Sequence, residues 1–195
     1  MVKALILNKI LDSYVLILVN CIEHYPSMKT TFKILLLPLA LLVLFTQCEK
    51  DPVHVDIPDD AFLTALIERG VDTNGDNIIS PAEAAVVTFL SVSRYDISDM
   101  TGIEAFINLD TLLCQSNQLT SLDVSNNTEL RNLGCARTQL TSLDVSNNFA
   151  LEQLNISEMP SLHEVCVWEI PFPPEGVHVF TTGSPNVYFT TECSK

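Results

Sequence analysis

The stretch Thr-Ser-Leu-Asp-Val-Ser-Asn-Asn at residues 120–127 recurs without change at residues 141–148, 21 positions further along the chain. The residues around it repeat as well, so that 109–129 and 130–150 are two copies of one unit. Apolar residues keep the same spacing in both copies, which indicates that each unit buries its apolar side by stacking on the next. The repeat therefore predicts a solenoid.

Each unit consists of two halves that both begin Leu-x-x-Leu-x-(Cys or Val), which predicts two short strands per coil. Because side chains alternate along a strand, Leu112 and Cys114 point inward on one face, and Leu122 and Val124 on the other. The equivalent thiols Cys114 and Cys135 are then buried and stacked. Three asparagines are expected to turn the chain and hydrogen-bond its backbone at the corners: Asn117, Asn126 and Asn147.

A helix-loop-helix with calcium-ligand spacing precedes the repeats. Residues 59–70 carry an apolar stripe at helical spacing, with acids at its start and a glycine at its end. The next segment, 72–83, resembles the 12-residue EF-hand loop, with oxygen-bearing side chains at positions 1, 3, 5, 9 and 12. The predicted Ca²⁺ ligands are Asp72, Asn74, Asp76, the backbone carbonyl of Ile78, Ser80 and Glu83.

The same loop departs from the EF-hand pattern at one position and has a second explanation at another. Asn77 stands where the family has glycine, and asparagine tolerates a positive φ better than most residues. The segment 80–83, Ser-Pro-Ala-Glu, is also a helix capping box, which explains these residues without a metal. Capping leaves the first three oxygen ligands unexplained, so we expect one structural Ca²⁺ ion.

The N-terminal segment predicts export. A basic stretch at 28–33 is followed by an apolar run at 34–45, which is a signal-peptide pattern too short to span a membrane comfortably. Cys48 just after it resembles a bacterial lipoprotein site, where the cysteine carries diacylglycerol. Cleavage with an incidental cysteine is the alternative. Because Met28 begins a complete signal unit, residues 1–27 are interpreted as an over-extended start, with a second membrane helix as the alternative.

Together these features resemble the exported leucine-rich-repeat lipoproteins of Bacteroidetes, in which an EF-hand-like segment sits ahead of the repeats. Residues 96–106 are similar to the linking turn of internalin-like repeats. The resemblance implies an α/β solenoid, a short leucine-rich-repeat coil with a helical N-terminal cap and a β-rich C-terminal cap. Its predicted parts are a signal segment (1–47), a linker after the lipidated cysteine (48–58), an EF-hand-like cap (59–90), the repeats (91–165) and the C-terminal cap (166–195).

The C-terminal segment carries two cysteines that the repeat does not explain. Cys166 and Cys193 are candidates for a disulfide, since exported proteins meet an oxidising compartment. Trp168 lies near Pro171 and Phe172, and we interpret this group as packing within the cap, with a binding patch as the alternative. His163 and Cys166 are three residues apart, but no orienting or oxyanion-forming motif accompanies them, so no enzyme is predicted.

Outward positions that differ between otherwise similar copies predict a ligand-binding face. They are Asp110, Thr111, Leu113, Arg131, Asn132, Gly134, Glu152, Gln153 and Asn155. The predicted function is a non-enzymatic, membrane-anchored module that recognises a protein or a glycan. The alternative is a structural spacer within an envelope or surface complex, with no ligand of its own.

The charge of the chain excludes one class of partner. It carries 24 Asp and Glu against 10 Lys and Arg, and such a surface repels the phosphate backbone of nucleic acids. The predicted partners are therefore a protein or glycan ligand and, through the lipid anchor, a membrane. The predicted location is the outer membrane or cell surface of a Gram-negative bacterium, or a secreted or periplasmic location without the anchor.

Overall fold

The computed structural model describes residues 53–193. The predicted signal segment, the lipidation site Cys48 and part of the predicted linker lie outside the described residues. Among the helices that residues 53–193 form, none is long and apolar enough to cross a membrane.

Two parallel sheets form opposite sides of a solenoid. The larger one, here called the front sheet, has five strands: β1 (Phe89–Ser91), β2 (Thr111–Leu113), β3 (Asn132–Gly134), β5 (Gln153–Asn155) and β7 (His178–Phe180). The smaller one, the back sheet, has three: β4 (Ser142–Asp144), β6 (Glu164–Cys166) and β8 (Tyr188–Thr190). A single bridge between Asp123 and Asp144 extends the back sheet toward the N-terminus.

The register of the front sheet follows the sequence repeat. Leu90 lies opposite Leu112, Leu112 opposite Leu133, and Leu133 opposite Leu154, so one core column runs through successive coils. All four leucines are at most 2% exposed. Equal spacing in the sequence therefore becomes a stack of equivalent side chains, each covering the next.

The solenoid is longer than the predicted repeat region of 91–165. Strand β1 pairs with β2, which brings residues 89–91 into the first coil although 89 and 90 were predicted to belong to the helical cap. Strands β7 and β8 extend both sheets, so the predicted C-terminal cap forms a further coil. The sequence does not predict this coil because β5 and β7 are separated by more residues than the other neighbouring front strands.

Buried side-chain amides and hydroxyls tie the corners of the coils together. Asn117 donates to the carbonyls of Val92 and Cys114 and accepts from two backbone N–H groups of the first coil. At the other corner the prediction of Asn126 and Asn147 is wrong by one residue. Asn127 and Asn148 are fully buried, whereas Asn126 and Asn147 are exposed.

The corner asparagines link successive coils by their side-chain amides. Asn127 Nδ2 donates to the carbonyls of Ile103 and Phe106, at 2.9 and 3.0 Å. Asn148 Nδ2 donates to Val124 and Asn127 in the same way, at 3.0 and 2.8 Å. Each of these carbonyls also accepts from a backbone N–H within its own turn, so the asparagine amide supplies a second hydrogen bond, and this one joins one coil to the next.

Two helices and a short 3₁₀ turn cover the N-terminal end of the solenoid. Helix α1 (Asp60–Glu68) buries Phe62, Ala65 and Leu66, and helix α2 is Pro81–Ala85. The 3₁₀ turn is Ile103–Ala105. Asp59 begins α1 by accepting from the N–H of Phe62.

The same Asp59 joins the helices to the first coil. Its second oxygen accepts from the N–H and hydroxyl of Ser98 and from the N–H of Asp99. Burial raises the pKa of the Asp59 carboxyl, but these hydrogen bonds outweigh it and hold the pKa below its usual value. Gly102 completes the joint, because a Cβ there would overlap Ile57 and the carbonyl of Asp56.

Aromatic packing and a disulfide close the C-terminal side. Trp168 contacts Phe149 and Phe172, with ring centroids 6.0 and 5.2 Å apart, and Phe172 contacts Phe189 at 5.0 Å. Trp168 and Phe172 are half-buried against the core, which agrees with packing within the cap. Cys166 of β6 forms a disulfide with Cys193, and the two Cα atoms are 5.5 Å apart.

Candidate functional site

The outward surface of the front sheet, here called the front face, is where the structure brings the predicted ligand residues together. Thr111, Asn132 and Gln153 occupy the first position of successive strands and lie in one column. Leu113, Gly134 and Asn155 occupy the third position and form a second column. A cleft of about 420 Å³ runs along both columns.

One predicted contact residue lines the cleft but is covered by a neighbouring side chain. Gly134 is buried, and the amide of Gln115 lies over it so closely that a Cβ at this position would overlap the amide nitrogen. Gln115 therefore forms the surface at this point. It also accepts a hydrogen bond of 2.6 Å from the hydroxyl of Ser93 in the preceding coil.

The remaining predicted residues form an ion-paired row along the start of the front strands. Arg131 Nη1 lies 2.8 Å from Glu152 Oε1, and Arg131 Nε lies 3.4 Å from Asp110 Oδ2. The side chains are about half exposed, so water screens the pairs and they stabilise the fold by at most about 1 kcal/mol. The row can offer charged groups to a ligand, although Arg131 already neutralises part of the negative charge of Asp110 and Glu152.

A second cleft, of about 530 Å³, lies beyond the other end of the strands. Arg137 and Glu158 line it and form a two-pronged ion pair at 2.6 and 2.8 Å. Hydrogen bonding to Glu158 raises the pKa of Arg137, and the same hydrogen bonds lower the pKa of Glu158. Sequence reasoning missed both residues, although Arg137 and Glu158 stand 21 positions apart like the repeat itself.

Aromatic side chains mark the two ends of the front face, and sequence reasoning missed these as well. Phe89 of the first coil is 61% exposed and Phe180 of the last coil is 50% exposed. Both line the cleft that carries Thr111 and Asn132. Phe89 lies 22 residues before its counterpart Thr111, so the weaker first copy contained the signal.

The predicted calcium loop folds as a series of tight turns that its own side chains hold. Asp72 accepts from the N–H groups of Gly75 and Asn77, at 2.7 and 2.9 Å. Asn74 and Asp76 accept from the N–H two residues further along. Asn77 has φ 62°, the left-handed conformation that its place in the loop requires.

The last predicted ligand, Glu83, has all four of its hydrogen bonds inside the protein. One oxygen accepts from the N–H and hydroxyl of Thr73, the other from the N–H and hydroxyl of Ser80. The backbone N–H of Ser80, with the other donors, lowers the pKa of Glu83 to about 2. Ser80 Oγ in turn accepts from the N–H of Glu83, which completes a capping box at α2.

The loop carboxylates do not converge on one point in this conformation. Among residues 53–193, the only three carboxylate, imidazole or thiol groups with ligand atoms within 4.8 Å of one another are Asp144, Cys166 and Cys193. Two of these are the disulfide pair. The first half of the loop has the oxygens that Ca²⁺ prefers, whereas Glu83 would have to exchange hydrogen bonds for the ion.

The cysteines of the repeat are part of the core. Cys114 and Cys135 are fully buried free thiols, and Cys114 Sγ contacts the carbonyl oxygen of Gly134 at 3.4 Å. Burial raises the pKa of Cys135 to about 12 and that of Cys114 well above its usual range. A thiol in this state is a poor nucleophile, since the thiolate is the reactive form.

No protein-family model matches the chain. Over 71 residues, which are 36% of this chain and 8% of the relative, it is 38% identical to internalin J of Listeria monocytogenes. An internalin (inlF) of the same species matches 71% of this chain and 47% of its own, with TM-score 0.53 and 19% identity. The functional domain of InlJ, which includes a cysteine ladder, matches 70% of this chain and 46% of its own, with TM-score 0.38 and 21% identity.

The match to the inlF structure shows that the fold is a leucine-rich-repeat solenoid. The chain spans about half the length of the inlF structure and less than a tenth of internalin J.

Proposed function

We propose that this protein is a non-enzymatic binding module that recognises a protein or a glycan on its front face, and that a lipid on Cys48 anchors it at the surface of a Gram-negative cell. The observation that carries the proposal is the contrast between the two sides of one repeat. The front face varies from coil to coil and forms a continuous cleft, whereas the second half of the unit is identical at 120–127 and 141–148.

The chemistry of the front face suits recognition. Its central columns carry a hydroxyl and planar amides from Thr111, Asn132 and Gln153, which can both donate and accept hydrogen bonds. Exposed Phe89 and Phe180 add apolar area at the two ends, and aromatic side chains commonly carry much of the binding energy at interfaces. The 71-residue similarity to internalin J supports an interaction module.

A pair of matched variants tests this proposal. Gln153→Arg places a long charged side chain on the front face, and Ser142→Arg places the same side chain on the back sheet. Both residues occupy the exposed first position of a strand, so both variants are expected to fold. Partners captured by the full-length chain from intact cells, or on protein and glycan arrays, should fall at least tenfold for Gln153→Arg alone.

Two results would count against a front-face ligand. Equal capture by both variants would move the binding surface elsewhere. If neither the chain nor its variants capture any partner at millimolar Ca²⁺, the spacer alternative is favoured. The anchor is tested separately by metabolic palmitate labelling, which Cys48→Ser should abolish.

We propose that the loop 72–83 also holds one structural Ca²⁺ ion. Asp72, Asn74 and Asp76 support this proposal, because three oxygen side chains at alternate positions exceed what capping of α2 requires. The ion would add charge neutralisation at one end of an acidic solenoid. Extracellular sites of this class bind at about 10⁻⁴–10⁻³ M, so the ion would be a structural one.

Thermal melting tests the calcium proposal. A site with Kd near 10⁻⁴ M should add about 2.7 kcal/mol at 10 mM Ca²⁺, a shift of several degrees in melting temperature relative to chelator. Asp76→Asn keeps the hydrogen-bond acceptor for the N–H of Ile78 but removes a charge, so it should raise the Ca²⁺ midpoint about tenfold. Asp60→Asn, outside the loop, is the control. An equal melting temperature with Ca²⁺ and with chelator would exclude the site.

A further inference from the structure

The back sheet begins one coil later than the front sheet. Front strand β1 belongs to the first coil, but the earliest back-sheet pairing is the bridge between Asp123 and Asp144 in the second and third coils. Backbone hydrogen bonds join the first coil to the second along this side only as far as residue 97, whose carbonyl accepts from the N–H of Gln118. The chain then turns away into the 3₁₀ turn Ile103–Ala105.

This offset leaves a cleft between the first two coils, here called the back cleft, of about 460 Å³. Residues 99–104 form one wall, and Ser121, Leu122 and Asp123 form the other. Asp123 of the second wall is bridged to Asp144 of the third coil on its other side, so the cleft lies along an extended segment whose facing edge is unpaired. Such an edge is a template for pairing with another extended segment.

The core itself shows that a neighbour is missing at this edge. Leu122 is only half-buried, whereas Leu143, its equivalent in the next coil, is 2% exposed and Val165 in the coil after that is fully buried. The three residues occupy the same place in successive coils and differ in what lies on their N-terminal side. An apolar side chain beside Leu122 would therefore continue the core column.

The charge of the back cleft selects what can enter it. Asp99, Glu104 and Asp123 line the cleft, and no lysine, arginine or histidine lines it. One oxygen of each carboxylate accepts from nearby backbone, at 2.8 to 2.9 Å. The other oxygens of Asp99 and Glu104 accept no hydrogen bond from residues 53–193, and Asp123 also accepts from the hydroxyl of Ser125. All four arginines of the described residues lie elsewhere.

We propose that the back cleft binds an extended, basic segment of a partner protein, which adds a parallel or antiparallel strand beside residues 121–123. Side chains alternate along the added strand, so the matching pattern is basic, apolar, basic. The apolar residue packs beside Leu122, and the basic residues reach Asp123 and the carboxylates of the opposite wall. This site is separate from the front face and does not depend on the ligand proposed there.

The probe is the labelled pentapeptide acetyl-Thr-Lys-Val-Lys-Thr-amide, titrated with the full-length chain at about 0.15 M salt and followed by fluorescence anisotropy. We expect saturable binding below 1 mM that weakens at least fivefold when glutamates replace the lysines, or glycine replaces the valine. Absence of binding at 1 mM, or equal binding of the glutamate peptide, would overturn the proposal.

Backbone methylation separates strand pairing from simple charge attraction. The N–H groups of successive strand residues point to opposite edges, so methylating one alternate set blocks pairing on one edge only. One of the two methylated peptides should lose binding and the other should keep it. Equal behaviour of the two peptides would show that no strand is added.

The repeat supplies a matched control within the protein. Asp123 and Asp144 occupy equivalent positions and accept the same hydrogen bond from the N–H two residues on, but only Asp123 lines the back cleft. Asp123→Asn and Glu104→Gln should each weaken the probe at least fivefold, and Asp144→Asn less than twofold. An equal effect of Asp123→Asn and Asp144→Asn would place the peptide elsewhere on the acidic surface.

Discussion

The front and back sheets come from the two halves of one repeat and yet differ in length, charge and uniformity. The front sheet has five strands, and arginines along its edges pair with Asp110, Glu152 and Glu158. The back sheet has three strands and one bridge, and two of its acids, Asp123 and Asp144, form no ion pair within 4 Å with the described residues. The period of a solenoid determines where its strands stack, but it does not determine which charged or polar side chains the outer surface of each sheet carries.

The difference begins at the N-terminal end. Asp59, Gly102 and the 3₁₀ turn attach the helices to the first coil, and in this coil the chain forms no back strand. The back edge of the second coil is therefore left open at residues 121–123. Substituting equivalent residues on the two sheets therefore measures how much the coil on either side contributes to the stability of each position.

The largest expected effect concerns equivalent core leucines on the two sheets. Leu154→Ala in the closed front column should reduce the free energy of unfolding by about 3 kcal/mol, since removing the branched end of a fully buried leucine leaves a cavity. Leu122→Ala at the open back edge should cost less than about 2 kcal/mol, because water already reaches the side chain. Urea unfolding measures both. Equal losses would show that the back edge is closed in solution.

The next effect concerns the corner at the C-terminal end of the back strands. Asn148→Ala removes a buried amide that donates to two carbonyls, so the free energy of unfolding should fall by about 1–3 kcal/mol. Asn147→Ala, one residue away and exposed, should change it by less than about 0.5 kcal/mol. A larger loss for Asn147→Ala would restore the original sequence prediction for this corner.

The smallest effect concerns the charged row of the front sheet. Arg131→Gln should change the free energy of unfolding by less than about 1 kcal/mol, because its ion pairs with Asp110 and Glu152 are half exposed. Raising the salt concentration should shrink the change further. Chemical unfolding at low and high salt checks this. A loss of several kcal/mol would mean that the row holds adjacent coils together and is not kept for a ligand.

The residues of the front face could be predicted where the coils follow the 21-residue repeat, and they could not be predicted where a coil departs from it. Thr111, Asn132 and Gln153 were predicted from their spacing, and the register aligns them. Phe89 was hidden because the first copy is divergent, and Phe180 because the last coil has a longer loop. Gly134 was predicted as surface because an outward position is normally exposed, but spacing does not reveal that Gln115 folds across it.

The sequence by itself determined the solenoid and its buried leucine and cysteine columns, whereas the predicted two strands per coil form only from the third coil onward. It could do so because these depend on local alternation and on a period that every coil shares. Only the tertiary structure decided that Asn127 and Asn148 turn inward, that the C-terminal segment continues the coil, and that the back sheet starts late. Each of these features depends on which residues of the adjacent coil lie against the segment. The spacing of apolar residues within one segment does not specify those contacts.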